Sequence, residues 1–159
     1  MTKFLLAVHV LAAIVAIGPV TVAASMFPPA ARRALQSPGE PGGAETVRLL
    51  LRICRVYAVV GVVVPVFGFA TAQNMGVLGD AWLIVSIALT ALAALVLIVF
   101  VLPRQTAIAD GLPGEDGERP VSVSSRATAR LAMVTGVFNL LWAAVTVLMI
   151  VRPGSTTGA

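Results

Sequence analysis

Four long apolar stretches alternate with shorter polar stretches along the chain. They run from about 4 to 27, 56 to 73, 81 to 102 and 131 to 151. Each is close to the ~20 apolar residues that a helix needs to cross a bilayer core of about 30 Å. Backbone groups in lipid must be paired within their own segment, so each stretch predicts a transmembrane helix. Residues 1–159 are therefore expected to form one all-α domain, a four-helix transmembrane bundle.

Prolines are expected to shape the first two helices. Pro19 and Pro65 lie inside apolar stretches, where each removes a helical hydrogen bond and predicts a kink. Pro28 and Pro29 are expected to end the first helix. The stretch 32–44 is rich in Gly, Pro, Ser and charge, which predicts a loop.

The third apolar stretch has a signal at each end. A tight turn is predicted at 74–79, and Asp80 is a natural N-cap for the helix that follows. Pro103 is compatible with a kink, after which 104–109 continue the helix. A mixed-charge loop is expected over 110–120.

Composition supports the membrane class. Hydrophobic residues make up 58% of the 159 residues, charged residues 11%, and the mean hydropathy is +0.99. A soluble domain carries about 25% charged residues. The net charge of +4 comes mainly from arginines beside the apolar stretches, so membrane topology explains it better than nucleic-acid binding does. The lipid bilayer is the expected partner, and no nucleic acid is expected.

Basic residues are distributed unequally between the two sides of the predicted bundle. One side has nine: Arg32, Arg33, Arg48, Arg52, Arg55, Arg104, Arg119, Arg126 and Arg130. The other side has two, Lys3 and Arg152. The positive-inside rule places both long loops in the cytoplasm and both termini outside, in a bacterial inner (cytoplasmic) membrane. The arginine spacing also predicts that helices two and four begin at least two turns before Val56 and Leu131 and so extend into the cytoplasm.

His9 is the only Asp, Glu, Lys, Arg or His inside a predicted span. Such residues usually face the bundle interior and mark functional sites. Ala12, Ala13 and Ala16 follow on the same face and allow a neighbouring helix or a flat cofactor to approach. Two interpretations stay open. His9 is either a haem or copper ligand or proton-handling group, or a neutral histidine hydrogen-bonded between helices.

A haem or copper site needs a further ligand, and the chain has no second histidine. Met149, at a similar predicted depth, makes His9 and Met149 the candidate cofactor-binding residues, with haem b as the candidate cofactor. As hydrogen-bond partners of His9 we expect Gln73 and Thr146. No catalytic residue and no metal-ligand cluster is assigned.

Asn139 lies near the centre of the fourth span, where its amide needs polar partners and should face another helix. Trp142, one turn away, is expected to pack. Pairs of small residues spaced four apart offer close helix contacts. These pairs are Ala12/Ala16, Gly68/Ala72 and Ala132/Gly136.

Arg48, Arg52 and Arg55 share one face of a helix that is expected to begin near Glu45. Lipid phosphates, haem propionates or an acidic partner would suit this face. The simpler interpretation is a solvated face that carries the positive-inside signal. Cys54, on the opposite face, is expected to behave as a small apolar residue.

The segment FLLAVHVLAAIVAIGP, residues 4–19, resembles the first helix of a group of small bacterial membrane proteins. In that group an early histidine precedes a glycine near the middle of the helix, here His9 and Gly18. The group includes copper-resistance D-type membrane proteins and membrane-bound, haem-associated protoporphyrinogen oxidases. The resemblance implies a four-helix fold and points to haem or copper. The oxidases carry further histidines or a lysine in later helices, and this chain has none.

Over its whole length the chain resembles a related family of predicted integral membrane proteins of unknown function. The features that carry this resemblance are an arginine-rich base to span two, a proline after span three, and the ending LMIVRPGS at 148–155.

Motifs of soluble enzymes such as GxGxxG, Walker A, GxSxG and HExxH are missing. No predicted span carries a carboxylate, which argues against an ordinary proton- or cation-coupled transporter. The favoured hypothesis is a non-enzymatic membrane protein that acts through association, as a homo-oligomer or as an accessory subunit of a membrane complex. The alternatives are a haem-binding redox protein that uses His9 and a copper-handling permease.

Overall fold

A computed structural model describes residues 2–37, 41–112 and 125–154. The regular structure of these residues is helical, and four stretches are long and apolar enough to cross a membrane. They are Thr2–Gln36, Gly43–Met75, Ala81–Asp110 and Arg126–Val151. The prediction of an all-α protein with four membrane-spanning segments is confirmed.

Two of the four stretches are interrupted, so the described chain has six α-helices. They are α1 Thr2–Gln36, α2 Gly43–Val60, α3 Val63–Met75, α4 Ala81–Leu95, α5 Leu102–Asp110 and α6 Ser125–Val151. A π-helical segment, Val96–Val101, joins α4 to α5.

Helix α1 continues through Pro28 and Pro29 to Gln36, so the prediction that these prolines end it is wrong. The helix also takes in the first residues of the predicted 32–44 loop. Phe27 and Ala31 are fully buried in the same core as residues of α2. This packing holds the chain helical across two prolines that lack N–H donors. The helix is unbroken at Pro19.

The second stretch is interrupted one helical turn before Pro65. Proline at 65 has no N–H to donate to the carbonyl of Gly61, and the helix breaks at Gly61–Val62. The break is closed by shorter bonds, from the Val62 N–H to the Val59 carbonyl and from the Val64 N–H to the Gly61 carbonyl, both at 3.1 Å. The predicted kink is confirmed as a break between α2 and α3.

Pro103 lies inside the third stretch, and the chain stays helical through it to Asp110, as expected. The π-helical segment directly precedes this proline, and there the Leu102 N–H bonds to the Leu97 carbonyl five residues back. The wider turn accommodates a residue that cannot donate. Asp80 occupies the predicted N-cap position. Its carboxylate accepts from the Trp82 indole N–H at 3.0 Å and makes no cap hydrogen bond.

The helix extensions are confirmed for one helix. Helix α2 begins at Gly43, close to the predicted Glu45, and is helical through Arg48, Arg52 and Arg55. The described part of α6 begins at Ser125, six residues before Leu131 and short of the two turns expected.

The two ends of the bundle pack differently. At the end that carries the α1–α2 and α5–α6 connections, called here the loop end, α1 packs on α2 and α6, and α5 packs on α2 and α6. The core inside this closed arrangement includes the fully buried residues Phe27, Val47, Val101 and Leu131. At the opposite end, called here the terminal end, α3 packs chiefly on α1, and α4 packs chiefly on α6. Near the 76–80 turn a small cluster of Ala72, Trp82 and Leu83 joins α3 to α4.

Candidate functional site

His9 lies half-buried in α1 and contacts α3. Its Nδ1 is 3.0 Å from the carbonyl oxygen of Val64. A carbonyl oxygen only accepts, so this hydrogen bond requires the proton on Nδ1. In the neutral ring, the lone pair then lies on Nε2.

Gly68 makes this close approach possible. A Cβ atom at position 68 would lie 2.9 Å from the His9 Cε1 and 3.3 Å from Nδ1. The imidazole therefore fills the place where a side chain of residue 68 would begin. Val64 and Gly68 are one helical turn apart, so the ring packs on the glycine while it donates to the carbonyl of the preceding turn.

His9 was expected to face the bundle interior or an assembly interface near span two or four, and its contact with α3 confirms this for span two. The predicted partners are wrong, since the acceptor is a backbone carbonyl. Gln73 is exposed, and the Thr146 hydroxyl donates to the Trp142 carbonyl at 2.9 Å. Gly68 exposes the helix backbone to His9, so that the Val64 carbonyl can accept its hydrogen bond. A sequence pattern of polar side chains does not reveal such a backbone acceptor.

Met149 lies half-buried against the cluster of Ala72, Trp82 and Leu83. Its carbonyl accepts from the Arg152 side chain at 3.2 Å, and that guanidinium lies 5.6 Å from the centre of the Trp82 ring. His9 and Met149 thus both lie toward the terminal end, each beside α3. A shared cofactor between them stays a prediction.

Asn139 faces α1, as predicted. Its amide nitrogen donates to the Ser25 hydroxyl at 3.0 Å, and that hydroxyl donates to the Thr21 carbonyl at 2.7 Å. Trp142 packs edge to face on Phe138, with ring centroids 6.4 Å apart.

One face of α6 carries buried polar atoms that have no hydrogen-bond partner among the described residues. They are the Thr135 hydroxyl oxygen, the Asn139 amide oxygen and the Trp142 indole nitrogen. Their spacing of i, i+4 and i+7 aligns them along the helix. From the sequence, only Asn139 was expected to be a buried polar group, and Trp142 was expected to pack. The same spacing inside an otherwise apolar stretch was the signal that could have found the whole row.

Gln105 is a further buried polar residue that the sequence analysis missed. It is fully buried on α5, and its amide nitrogen lies 3.6 Å from the Cys54 sulfur. Cys54 is also fully buried, which confirms that it packs as a small residue. In sequence Gln105 follows Arg104 and looks like part of a solvated helix end. It is buried because α5 packs on α2, α6 and α1.

The predicted small-residue pairs do not all serve the same purpose. Ala16 and Ala72 are buried inside the bundle, and Gly68 contacts His9. In contrast, a Cβ atom added at Gly18 or Gly136 would meet nothing within 4 Å. These two glycines are not required by packing within the described part of the chain.

The arginines of α2 line a cleft of about 480 Å³ at the loop end. Its lining residues are Arg48, Leu51, Arg52, Arg55, Val56, Ala109 and Asp110. Arg55 is bound to α5 by a 2.8 Å hydrogen bond from its guanidinium to the Thr106 hydroxyl. Among the residues that the structure describes, no three His, Cys, Asp or Glu side chains come together as a metal-binding group.

Four membrane-spanning segments, one intramembrane histidine and a basic loop end define a multispan integral membrane protein. Over residues 3–153 the chain matches the family described as predicted integral membrane protein (DUF2269), and it belongs to that family. No curated protein and no solved structure matches it.

Proposed function

We propose that this protein acts in the membrane by associating with further transmembrane helices, as a homo-oligomer or as a subunit of a larger membrane complex. The observation that supports the proposal is the open space beside Gly18 and Gly136. Glycine in a helix interior costs about 1 kcal/mol relative to alanine. Two mid-span glycines that the described bundle does not need are suited to close contact with another helix.

Gly18 lies in the middle of the exposed face of α1. Four large side chains surround it on that face, with exposures from 57% to 65%. They are Leu11, Ile14, Val15 and Val22. The missing side chain leaves a shallow hollow among them. Lipid tails are as apolar as these residues, so helix association in a bilayer depends on close packing, which such hollows favour.

Gly136 lies on the part of α6 that borders α1. On the same helix face, Ala132 and Asn139 lie four residues before it and three after it. Asn139 is bonded to Ser25 of α1, and Ser25 is itself exposed. Small and polar residues therefore line the α1–α6 boundary, where a further helix would find both close approach and hydrogen-bonding groups.

Substitution and size analysis in mild detergent test this proposal. Gly18→Leu and Gly136→Leu fill the open space and are expected to reduce the oligomer, or the co-purifying membrane subunits, at unchanged fold. Val66→Leu is the matched control, because Val66 is 61% exposed on α3, away from this boundary. An oligomer and a set of co-purifying proteins unchanged by both leucines would contradict the proposal. Cross-linking through Gly136→Cys in a Cys54→Ala background separates self-association from a different partner.

A second candidate function is haem binding at His9, in a redox membrane protein. The supporting observation is the bond from Nδ1 to the Val64 carbonyl. Ligating histidines commonly donate their other ring N–H to a carbonyl, which orients the ring and leaves Nε2 to bind the metal. A Soret band in protein expressed with ample haem, lost in His9→Gln at unchanged fold, is the expected result. No band under those conditions would contradict it. Metal analysis of the same sample tests the copper-handling alternative.

A further inference from the structure

The cleft between α2 and α5 differs from an ordinary solvated basic face. Three arginines from one face of α2, Arg48, Arg52 and Arg55, line it together with one acidic residue, Asp110. Arginine residues therefore outnumber acidic residues in the lining. The cleft is partly open and has a volume of about 480 Å³, enough for a phosphate group and the first carbons attached to it.

One of these arginines is already positioned. The Arg55 guanidinium donates to the Thr106 hydroxyl at 2.8 Å, and that hydroxyl donates to the Leu102 carbonyl at 2.8 Å. These two hydrogen bonds fix the Arg55 guanidinium at the cleft wall before any ligand binds. Arg52, one turn closer to the start of α2, makes no ion pair with a described residue. Its donors are available to an anion.

The remaining lining is apolar. Leu51, Val56 and Ala109 complete the walls. Val56 begins the apolar part of the second span, so the cleft lies at the level where the hydrocarbon region gives way to polar groups. A ligand that carries a phosphate beside an acyl or glycerol portion matches this change from arginine to apolar lining.

We propose that this cleft is a binding site for a phosphate group, supplied by an anionic lipid headgroup that enters from the bilayer. Guanidinium groups suit phosphate because they donate paired hydrogen bonds in a planar fork. The general positive-inside effect needs only exposed arginines. It does not account for the bond that anchors Arg55 to the opposite helix.

The test uses the full chain in a neutral detergent and three probes: dihexanoyl phosphatidic acid, dihexanoylglycerol and inorganic phosphate. Binding is measured by the concentration dependence of thermal stability, which rises when a ligand binds only the folded state. Phosphatidic acid is expected to stabilise the protein, and Arg52→Gln is expected to weaken its binding roughly tenfold, the scale of one charge-assisted hydrogen bond. Arg130→Gln removes the same charge from an exposed position of α6 outside the cleft and should change little.

The outcomes separate the sources of the phosphate. In one outcome, phosphatidic acid and inorganic phosphate stabilise the protein to similar extents, and both effects are lost in Arg52→Gln. That outcome supports the site and shows that free phosphate is sufficient for binding. Equal stabilisation by dihexanoylglycerol overturns the proposal, because that probe has no phosphate. Equal weakening by Arg52→Gln and Arg130→Gln also overturns it, since the effect is then one of total charge. If Arg52→Gln does not fold, Arg52→Lys keeps the charge but loses the fork, and wild-type affinity in that variant argues against the site.

Discussion

At the loop end of the bundle, one large core fills the space between four helices, whereas at the terminal end α3 and α4 are joined by a small cluster around Trp82 and α3 contacts α1 through a histidine. Phe27, Leu131 and Val101 are fully buried at the first end. At the second, α3 is held to α1 by a histidine that fits against Gly68. The change occurs where spans two and three are interrupted, at Gly61–Val62 and at Val96–Val101. A single membrane span can thus pack differently on either side of a backbone break.

The largest expected effect is all-or-none and concerns which end faces the cytoplasm. In a Cys54→Ala background, Glu40→Cys at the loop end should resist an impermeant thiol reagent in intact cells. Gly79→Cys in the terminal-end turn should react. Residue 40 lies outside the described residues, so the basis of this prediction is the distribution of arginine and lysine. Labelling of residue 40 in intact cells would reverse the assignment of the two ends.

The next effect tests the core of the loop end. Phe27→Ala should lower the free energy of unfolding by about 3–5 kcal/mol, because it empties a fully buried site. Phe69→Ala, the same substitution at a 55% exposed position of α3, should cost far less. Unfolding in mixed micelles measures both. Similar losses would show that burial at the loop end does not dominate stability.

At the terminal end, Gly68→Ala should destabilise the protein by roughly 1–3 kcal/mol, the range for overpacking. The added methyl would lie 2.9 Å from the His9 ring, and moving the ring breaks its bond to Val64. The same substitution in a His9→Ala background should be almost without cost, since the clash is then gone. A double-mutant cycle measures this coupling, and additive effects would contradict the contact.

Asn139→Leu should cost roughly 0.5–2 kcal/mol, the scale of polar contacts between membrane helices. The bond to Ser25 is lost, but so is a buried amide oxygen with no partner among the described residues, which favours the lower half of that range. Ser25→Ala removes the same bond and leaves the amide nitrogen unpaired. The two substitutions should therefore be non-additive, and full additivity would argue that the bond is not formed.

The smallest effect has the opposite sign. Gly18→Ala should leave protomer stability unchanged or raise it by up to about 1 kcal/mol, because alanine favours the helix and open space surrounds this position. Gly18→Ala and Gly68→Ala are the same substitution at two sites, and their different effects on stability distinguish a glycine that packing in the bundle requires from one that it does not. A clear loss of protomer stability in Gly18→Ala would remove that distinction.

The apolar pattern was enough to predict the four spans. The position of Pro65 predicted a kink in the second span, where the helix is broken, but the same argument applied to Pro19, where the helix is unbroken. The course of α1 past Pro28 could not be predicted in the same way, because burial of Phe27 and Ala31 against α2 decides it. Sequence reasoning identified His9 and the direction it faces. It missed the acceptor, since a backbone carbonyl beside a glycine carries no side-chain signal.

The contact between His9 and Gly68 couples two positions that are 59 residues apart in the sequence, so that a substitution at one constrains the residue at the other. A change at position 68 to any larger residue requires a smaller residue at position 9 or a shifted helix. Among members of this family, we therefore expect histidine at the first position to be inherited together with glycine at the second. In members that have a small residue in place of the histidine, the position of Gly68 is no longer restricted to glycine, and we expect alanine or serine there.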